Sequence, residues 1–194
     1  MTKAATSYFR HVGALMAAIE ATDAGRVAMP LDEAADTVVR RLLETGKAAR
    51  KVVLIGNGGS ASIAGHMEMD LCNRARIRAS VFNDPPVLTA LANDLGYDRA
   101  FERMVELWME SGDCLIAISS SGSSQNILNG VDAARRNKCH VVTFSGFKPD
   151  NPLRSLGDVN FYVASNEYGE VEVSHHALGH FLTDQAAEIA AATR

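Results

Sequence analysis

The sequence predicts an α/β fold in three layers: a parallel sheet of five strands with helices on both faces, preceded by two amphipathic helices. Three observations point there. From residue 51 onward, short apolar runs of strand length alternate with amphipathic stretches, the pattern of repeated strand–helix units. Two turns rich in Gly and Ser each sit between an apolar run and a helix, at the edge where a parallel sheet presents its ligands. A length of 194 residues is enough for one such domain and its core.

Taken in order, Tyr8, Phe9, Val12, Leu15, Met16 and Ile19 recur at three- and four-residue steps and predict a first helix. A second begins near Leu31, carries Ala34, Val38, Val39, Leu42 and Leu43 inward, and stops at Gly46. The apolar stripes of these helices need cover, either from another subunit or from packing within one. Strands are expected near 51–56, 78–82, 113–118, 139–145 and 159–163, and helices near 60–72, 85–94, 98–110, 124–136 and 170–192. The segment Phe147-Lys148-Pro149-Asp150-Asn151-Pro152 reads as a surface loop. With no repeat, low-complexity tract or linker, residues 1–194 are expected to form one domain, with the leading helices in 1–48 and the α/β core in 49–194.

Composition narrows the function. A hydrophobic content of 47% and a charged content of 22% are those of an ordinary soluble domain. The net charge of -4 argues against electrostatic wrapping of nucleic acid, and the cluster Arg74, Arg76 and Arg78 reads as a solvated loop. Cys72, Cys114 and Cys139 are widely spaced with no CxxC pair, so reduced thiols are expected rather than disulfides or zinc ligands. No signal-peptide pattern opens the chain, and no stretch approaches the roughly 18 apolar residues of a membrane span. A cytoplasmic location without nucleic-acid or membrane partners is the expectation.

The first turn is Gly56-Asn57-Gly58-Gly59-Ser60, after Val52-Val53-Leu54-Ile55. The second is Ser119-Ser120-Ser121-Gly122-Ser123-Ser124, after Cys114-Leu115-Ile116-Ala117-Ile118. Small residues let backbone N–H groups converge, hydroxyls add donors, and the helix that follows contributes partial positive charge. That chemistry suits a phosphate. Gly56-x-Gly58-x-x-Ala61 fits a dinucleotide fingerprint superficially, but no acidic residue closes the next strand at the expected distance, since Asp84 falls late. No Gly-Lys-Ser/Thr follows either turn, which excludes a Walker loop. No nucleotide cofactor is expected. A purely structural use of Gly and Ser remains open for the first turn; the second carries more hydroxyls than a turn requires.

Two helices carry titratable stripes. His66 and Asp70 share one face at i,i+4, while Glu68 points elsewhere, into solvent. The last helix carries Glu172, His176 and His180 at four-residue steps, with His175 three after Glu172, and Gly179 thins it beside His180. Any one histidine reads as a core or interface residue. As a set, they fit proton transfer or a divalent metal such as zinc, held by His66, Asp70, Glu172 and His180.

In sequence order, the first turn, His66 with an acidic residue at 70, Ala92-Asn93-Asp94, the serine turn and the last helix together resemble the sugar-isomerase (SIS) domain family. The likeness is strongest to its phosphoheptose isomerase branch, over nearly the whole chain. The resemblance implies a five-stranded flavodoxin-like sheet and a homotetramer with active sites at subunit contacts. It implies that Ser60, Ser119, Ser121 and Ser124 hold the phosphate beside the Gly58-Gly59 turn, with Asn57, Asn93, Asp94, Ser120 and Glu172 near the sugar. Asp70 would be the base and His180 the acid, and some members bind zinc through positions matching His66, Asp70, Glu172 and His180. The implied reaction is aldose–ketose isomerisation of sedoheptulose 7-phosphate to a heptose 7-phosphate for a surface glycan such as lipopolysaccharide. The alternatives are a non-catalytic SIS protein that binds a replication-initiation protein, and a sugar-phosphate sensor. The chain departs from the family pattern in having Asp rather than Glu at 70, which shortens the carboxylate's reach by a methylene. It has Glu rather than Gln at 172, which adds negative charge. Gly169 stands in place of a substrate-contacting Asp, and Ala61 where His often follows the first turn.

Overall fold

The computed structural model describes residues 4–193. In chain order the elements are α1 (Ala5–Ala17), β1 (Glu20–Asp23), β2 (Ala28–Met29), α2 (Leu31–Lys47), β3 (Val52–Gly56), α3 (Gly59–Asp70) and β4 (Ala79–Val81). They continue with α4 (Pro85–Leu95), α5 (Ala100–Trp108), β5 (Cys114–Ser119), α6 (Gln125–Arg136), β6 (His140–Ser145), β7 (Val159–Tyr162) and α7 (Tyr168–Ala192). The expected strands all form, but the sheet has seven strands rather than five, in the order β2-β1-β7-β6-β5-β3-β4. Strands β3 to β7 run parallel, in the flavodoxin-like order, with β3 between β4 and β5. The two extra strands are an antiparallel hairpin between the leading helices, paired to β7 through Ala21↔Phe161 and its neighbours. They are only four and two residues long, with a single buried residue, Ala21, in β1, too short to display a two-residue period. Asp23 builds their turn by accepting from the N–H groups of Gly25 and Val27 at 2.8 and 2.9 Å.

Alternation along the parallel strands fills both faces of the sheet. Val52, Leu54, Ile116, Ile118, Phe144 and Phe161 face α2, α3 and α7, where Leu42, Ile63 and Leu182 meet them. Val53, Ile55, Leu115 and Ala117 face α5 and α6, where Phe101, Val105, Ile127 and Val131 meet them. The stripe of α2 is thus covered within one chain. By contrast α1 buries only Val12, and α4 buries no residue although Val87, Leu88, Leu91 and Leu95 lie on it. Among the described residues, no helix is long and apolar enough to cross a membrane.

Three helix boundaries differ from expectation in ways that matter for the site. The expected helix 60–72 ends as α-helix at Asp70 and continues as a π-helical turn, Leu71–Ala75, closed by Arg76 in the left-handed region at φ 56°. The expected helix 98–110 is entered through a 3-10 turn, Tyr97–Arg99. The last helix starts earlier than 170, at Tyr168.

Helix α7 packs closely on α3 because Gly179 has no side chain. A Cβ there would stand 2.8 Å from Met67 Sδ, inside contact distance. A second anchor is His175, fully buried, its ring 5.6 Å from that of Phe144 and its Nε2 3.1 Å from the Ser145 carbonyl oxygen. Burial pushes this imidazole's pKa down to about 4. A histidine in the unfolded chain titrates near about 6.5, so on acidification the unfolded state takes up its proton first. The stability contributed by the neutral ring is complete above about pH 6.5, drains away as pH falls to about 4, and amounts to about 3 kcal/mol. Urea titrations between about pH 7 and about pH 4.5 should show this acid limb in the native protein and a much flatter one in His175→Asn; parallel curves would place the acid sensitivity elsewhere.

Candidate active site

Strand β3 ends at Gly56 and the chain turns through Asn57 and Gly58 into α3; β5 ends at Ser119 and turns through Ser120–Ser124 into α6. These strands are neighbours, yet their helices leave to opposite faces of the sheet. A crevice opens beyond the carboxyl ends at that reversal, the position where doubly wound sheets bind ligands. It is lined by Asn57, Ser60, Ile118, Ser119, Ser120, Ser121, Ser124, Tyr168 and Glu172. The two turns read from the sequence therefore share one cleft, and α7 supplies its third wall.

Within the cleft the serine hydroxyls hold one another. Ser119 Oγ lies 3.5 Å from Ser121 Oγ and donates to Ser124 Oγ at 3.4 Å, while the Gly122 N–H donates to Ser119 Oγ at 3.2 Å. Ser121 Oγ accepts from the Ser123 N–H and hydroxyl at 3.3 and 3.2 Å. Gly122 makes this bend at φ 61°, a conformation glycine adopts without penalty. Ser124 occupies the N-cap of α6 but makes no capping bond, so its hydroxyl stays with the cluster. Ser120 Oγ is buried with no hydrogen-bond partner among the described residues. A buried hydroxyl without a partner is costly, by about 1–3 kcal/mol, unless a ligand completes it. Beside these donors stands a carboxylate. Glu172 lies so close to the start of α3 that a Cβ on Gly59 would collide with both its oxygens. The partial positive charge of that helix end offsets it.

One to two turns further along α3 and α7 lies the titratable cluster. Asp70 is buried, and its Oδ2 stands 3.6 Å from His66 Nε2 and 3.6 Å from His180 Nδ1. Thr183 Oγ1 donates to the same oxygen at 3.4 Å, and Arg74 Nη1 reaches Asp70 Oδ1 at 3.9 Å. The rings of His176 and His180 stack at 4.9 Å, and that of His66 meets them edge-on at 5.1 and 4.6 Å. His176 is held below the usual imidazole pKa, first by burial and then by the two other histidines. Ligand atoms of His66, His176 and His180 lie within 4.8 Å of one another, and His176 Nε2 is buried without a hydrogen-bond partner among the described residues. This donor set fits a zinc ion, which favours imidazole nitrogen. Asp70, His180 and Asp184 form a second group of the same kind.

The structure thus joins His66, Asp70 and His180, but Glu172 belongs with the serine cleft rather than with the group of histidine donors, where His176 stands. Asn93 and Asp94 sit on the exposed α4, bonded to each other at 3.0 Å, and line no part of the serine cleft. Glu68 does not point into solvent: its Oε1 accepts from the Val81 N–H at 3.3 Å. Arg74 is solvent-exposed as expected, but it lies in the π-helical turn rather than in a loop and pairs with Asp184. His175 leaves the stripe for the core. Sequence reasoning assigned no site role to His176, Tyr168, Tyr97 or Asn126. The i,i+4 step from Glu172 through His176 to His180 carried the signal for the first of these, and nothing in the sequence flags the others.

The chain is similar to known proteins in both sequence and fold. A family model for the SIS domain matches residues 7–146. The phosphoheptose isomerase of Aliarcobacter butzleri is 36% identical over 157 residues, 78% of this chain and 80% of that protein. That of Trichlorobacter lovleyi is 33% identical over 153 residues, 76% and 78% of the two chains. Among solved structures, phosphoheptose isomerase GmhA from Neisseria gonorrhoeae superposes with a TM-score of 0.80 at 26% identity, covering 92% of this chain and 95% of that one. A phosphoheptose isomerase from Francisella tularensis shares the fold with a TM-score of 0.81 at 23% identity, over 94% and 96% of the two chains.

Proposed function

This chain belongs to the SIS-domain family, and from that premise we propose that it is an aldose–ketose isomerase converting sedoheptulose 7-phosphate to a heptose 7-phosphate for heptose biosynthesis. The observation that carries the reading is the placement of an anion cradle and an acid–base cluster one to two turns apart along the same two helices, α3 and α7. Glu172, His176 and His180 step away from the cradle at about 6 Å per four residues. A phosphate fixed among the serines therefore leaves the far end of an extended sugar near the histidines, where the carbonyl and its neighbouring carbon react.

Ser60, Ser119, Ser121 and Ser124 bind the phosphate, with Ser120 Oγ as a further donor and the Gly58-Gly59 turn bringing backbone close. This binding energy, remote from the reacting carbons, holds them in position. Asp70 and His180 form the proton-handling pair: a proton leaves one carbon and returns to the next through an enediol, with Asp70 as base and His180 serving the oxygen. Asp70 Oδ2 also lies 3.6 Å from both His66 Nε2 and His180 Nδ1, so it orients these imidazoles. Glu172 meets sugar hydroxyls at the cradle's edge. If zinc is bound, His66, His176 and His180 hold it and Asp70 lies beside them; the ion would supply charge stabilisation for the enediolate.

A homotetramer with sites at subunit contacts accounts for α4, which buries no residue fully and carries Asn93 and Asp94, and for the apolar groove between α1, α2 and α7 lined by Leu178 and Phe181. The free thiols of Cys72, Cys114 and Cys139 suit a reducing cytoplasm.

The reaction is read directly by NMR in deuterated water. Sedoheptulose 7-phosphate should turn over with deuterium entering C2 of the product, and Asp70→Asn should lower the rate by about 10²–10⁴ with phosphate binding retained. Turnover unchanged in that variant would remove Asp70 from the chemistry, and no turnover by the native protein would end the reading. Zinc retained per chain, measured by elemental analysis after dialysis, should fall at least about tenfold in His66→Ala and in His176→Ala. Zinc at the native level in both variants would move the metal elsewhere.

A further inference from the structure

The two turns of the cleft are bolted together by side chains outside the serine cluster. Asn57 follows β3, and Asn126 lies in the first turn of α6. Their amides face each other as a reciprocal pair: Asn57 Nδ2 donates to Asn126 Oδ1 at 3.0 Å, and Asn126 Nδ2 donates to Asn57 Oδ1 at 2.8 Å. Asn126 Oδ1 also accepts from the Ile127 N–H at 3.0 Å, which ties the pair to the helix backbone. From the 3-10 turn ahead of α5, the Tyr97 hydroxyl donates to Asn57 Oδ1 at 2.7 Å. Both lone pairs of that oxygen are then in use, so Asn57 has no acceptor left for a sugar hydroxyl. Asn126 is buried, and its pairing satisfies groups that would otherwise be stranded.

The location gives this pair its meaning. The ladder between β3 and β5 ends at Gly56↔Ile118, and beyond it the two turns diverge with no strand pairing between them. Both turns consist largely of Gly and Ser, whose backbones lose much freedom when ordered. An anion gripped from two sides needs the Ser60 hydroxyl and the Ser119–Ser124 hydroxyls held at one separation before it arrives. The amide pair provides a side-chain rung across the gap where the ladder has run out.

We propose that Asn126 and Tyr97 are positioning residues which, acting through Asn57, hold the first turn against the second so that both grip one phosphate. This rests on the cleft being the phosphate site of the isomerase. Titration calorimetry with inorganic phosphate tests it, alongside KM and kcat for the sugar phosphate. Asn126→Ala should weaken phosphate binding about tenfold and Tyr97→Phe about threefold, the latter with an unchanged melting temperature. KM should rise while kcat stays within about twofold. The deciding readout is a pair of double-mutant cycles with Ser60→Ala. Alone, that change should weaken binding about tenfold; in the Asn126→Ala or Tyr97→Phe background its effect should shrink severalfold, because Ser60 is already out of line. A merely structural role for the clamp predicts additive losses, and additivity in both cycles overturns the proposal. If Asn126→Ala does not fold, the Tyr97→Phe cycle decides alone. A native protein that binds phosphate but does not isomerise the sugar defeats the reaction while leaving this proposal to be scored; one that binds no phosphate overturns both.

Discussion

Everything at the site follows from how closely α7 can lie on α3. The two helices meet where Gly179 accepts Met67 into the space a side chain would fill. That contact fixes the rotation of both helices about their axes. With it fixed, His66 and Asp70 on one helix face His176 and His180 on the other. The same alignment carries Glu172 to the start of α3, where Gly59 again leaves room. Small residues on opposite helices therefore set the spacing of a carboxylate, three imidazoles and a buried Asp. Helix packing, rather than any loop, gives the cluster its geometry, and sites built on helices hold their positions more tightly than sites on loops.

The electrostatics change along the paired helices α3 and α7. At the cradle end, two helix N-termini and a set of hydroxyls favour negative charge. The Glu172 carboxylate, set against the start of α3, works against that preference. At the other end the buried Asp70 faces His66, His180, Thr183 and Arg74, and Arg74 is shared with Asp184, a second carboxylate beside His180.

The sheet's parallel core and both turns were legible because their signals are local. Continuous apolar strands followed by Gly and Ser leave few alternative structures, and strand order places the turns side by side. The hairpin was hidden because β1 and β2 are short and mostly exposed, so neither shows a period that distinguishes it from a loop. The i,i+4 stripes of His66 with Asp70 and of Glu172 with His180 were visible as stripes. Which member of each faces the other helix depends on packing distance, and that decided for His176 and put Glu172 in the serine cleft. Asn126 and Tyr97 left no trace in the sequence. A single Asn in a helix's first turn is commonplace there, and its partner lies 69 residues away. Asn93 and Asp94 are the opposite case, prominent as a motif and yet outside the cleft of one chain.

The sheet is bounded on one side by the two residues of β2 and on the other by the three of β4. Such stubs present almost no row of open N–H and C=O groups for a further strand to pair with. Continuous growth by strand addition, the route to fibrils, is closed at both borders. What the molecule leaves open to its surroundings is helix surface, such as the exposed face of α4, rather than sheet edge.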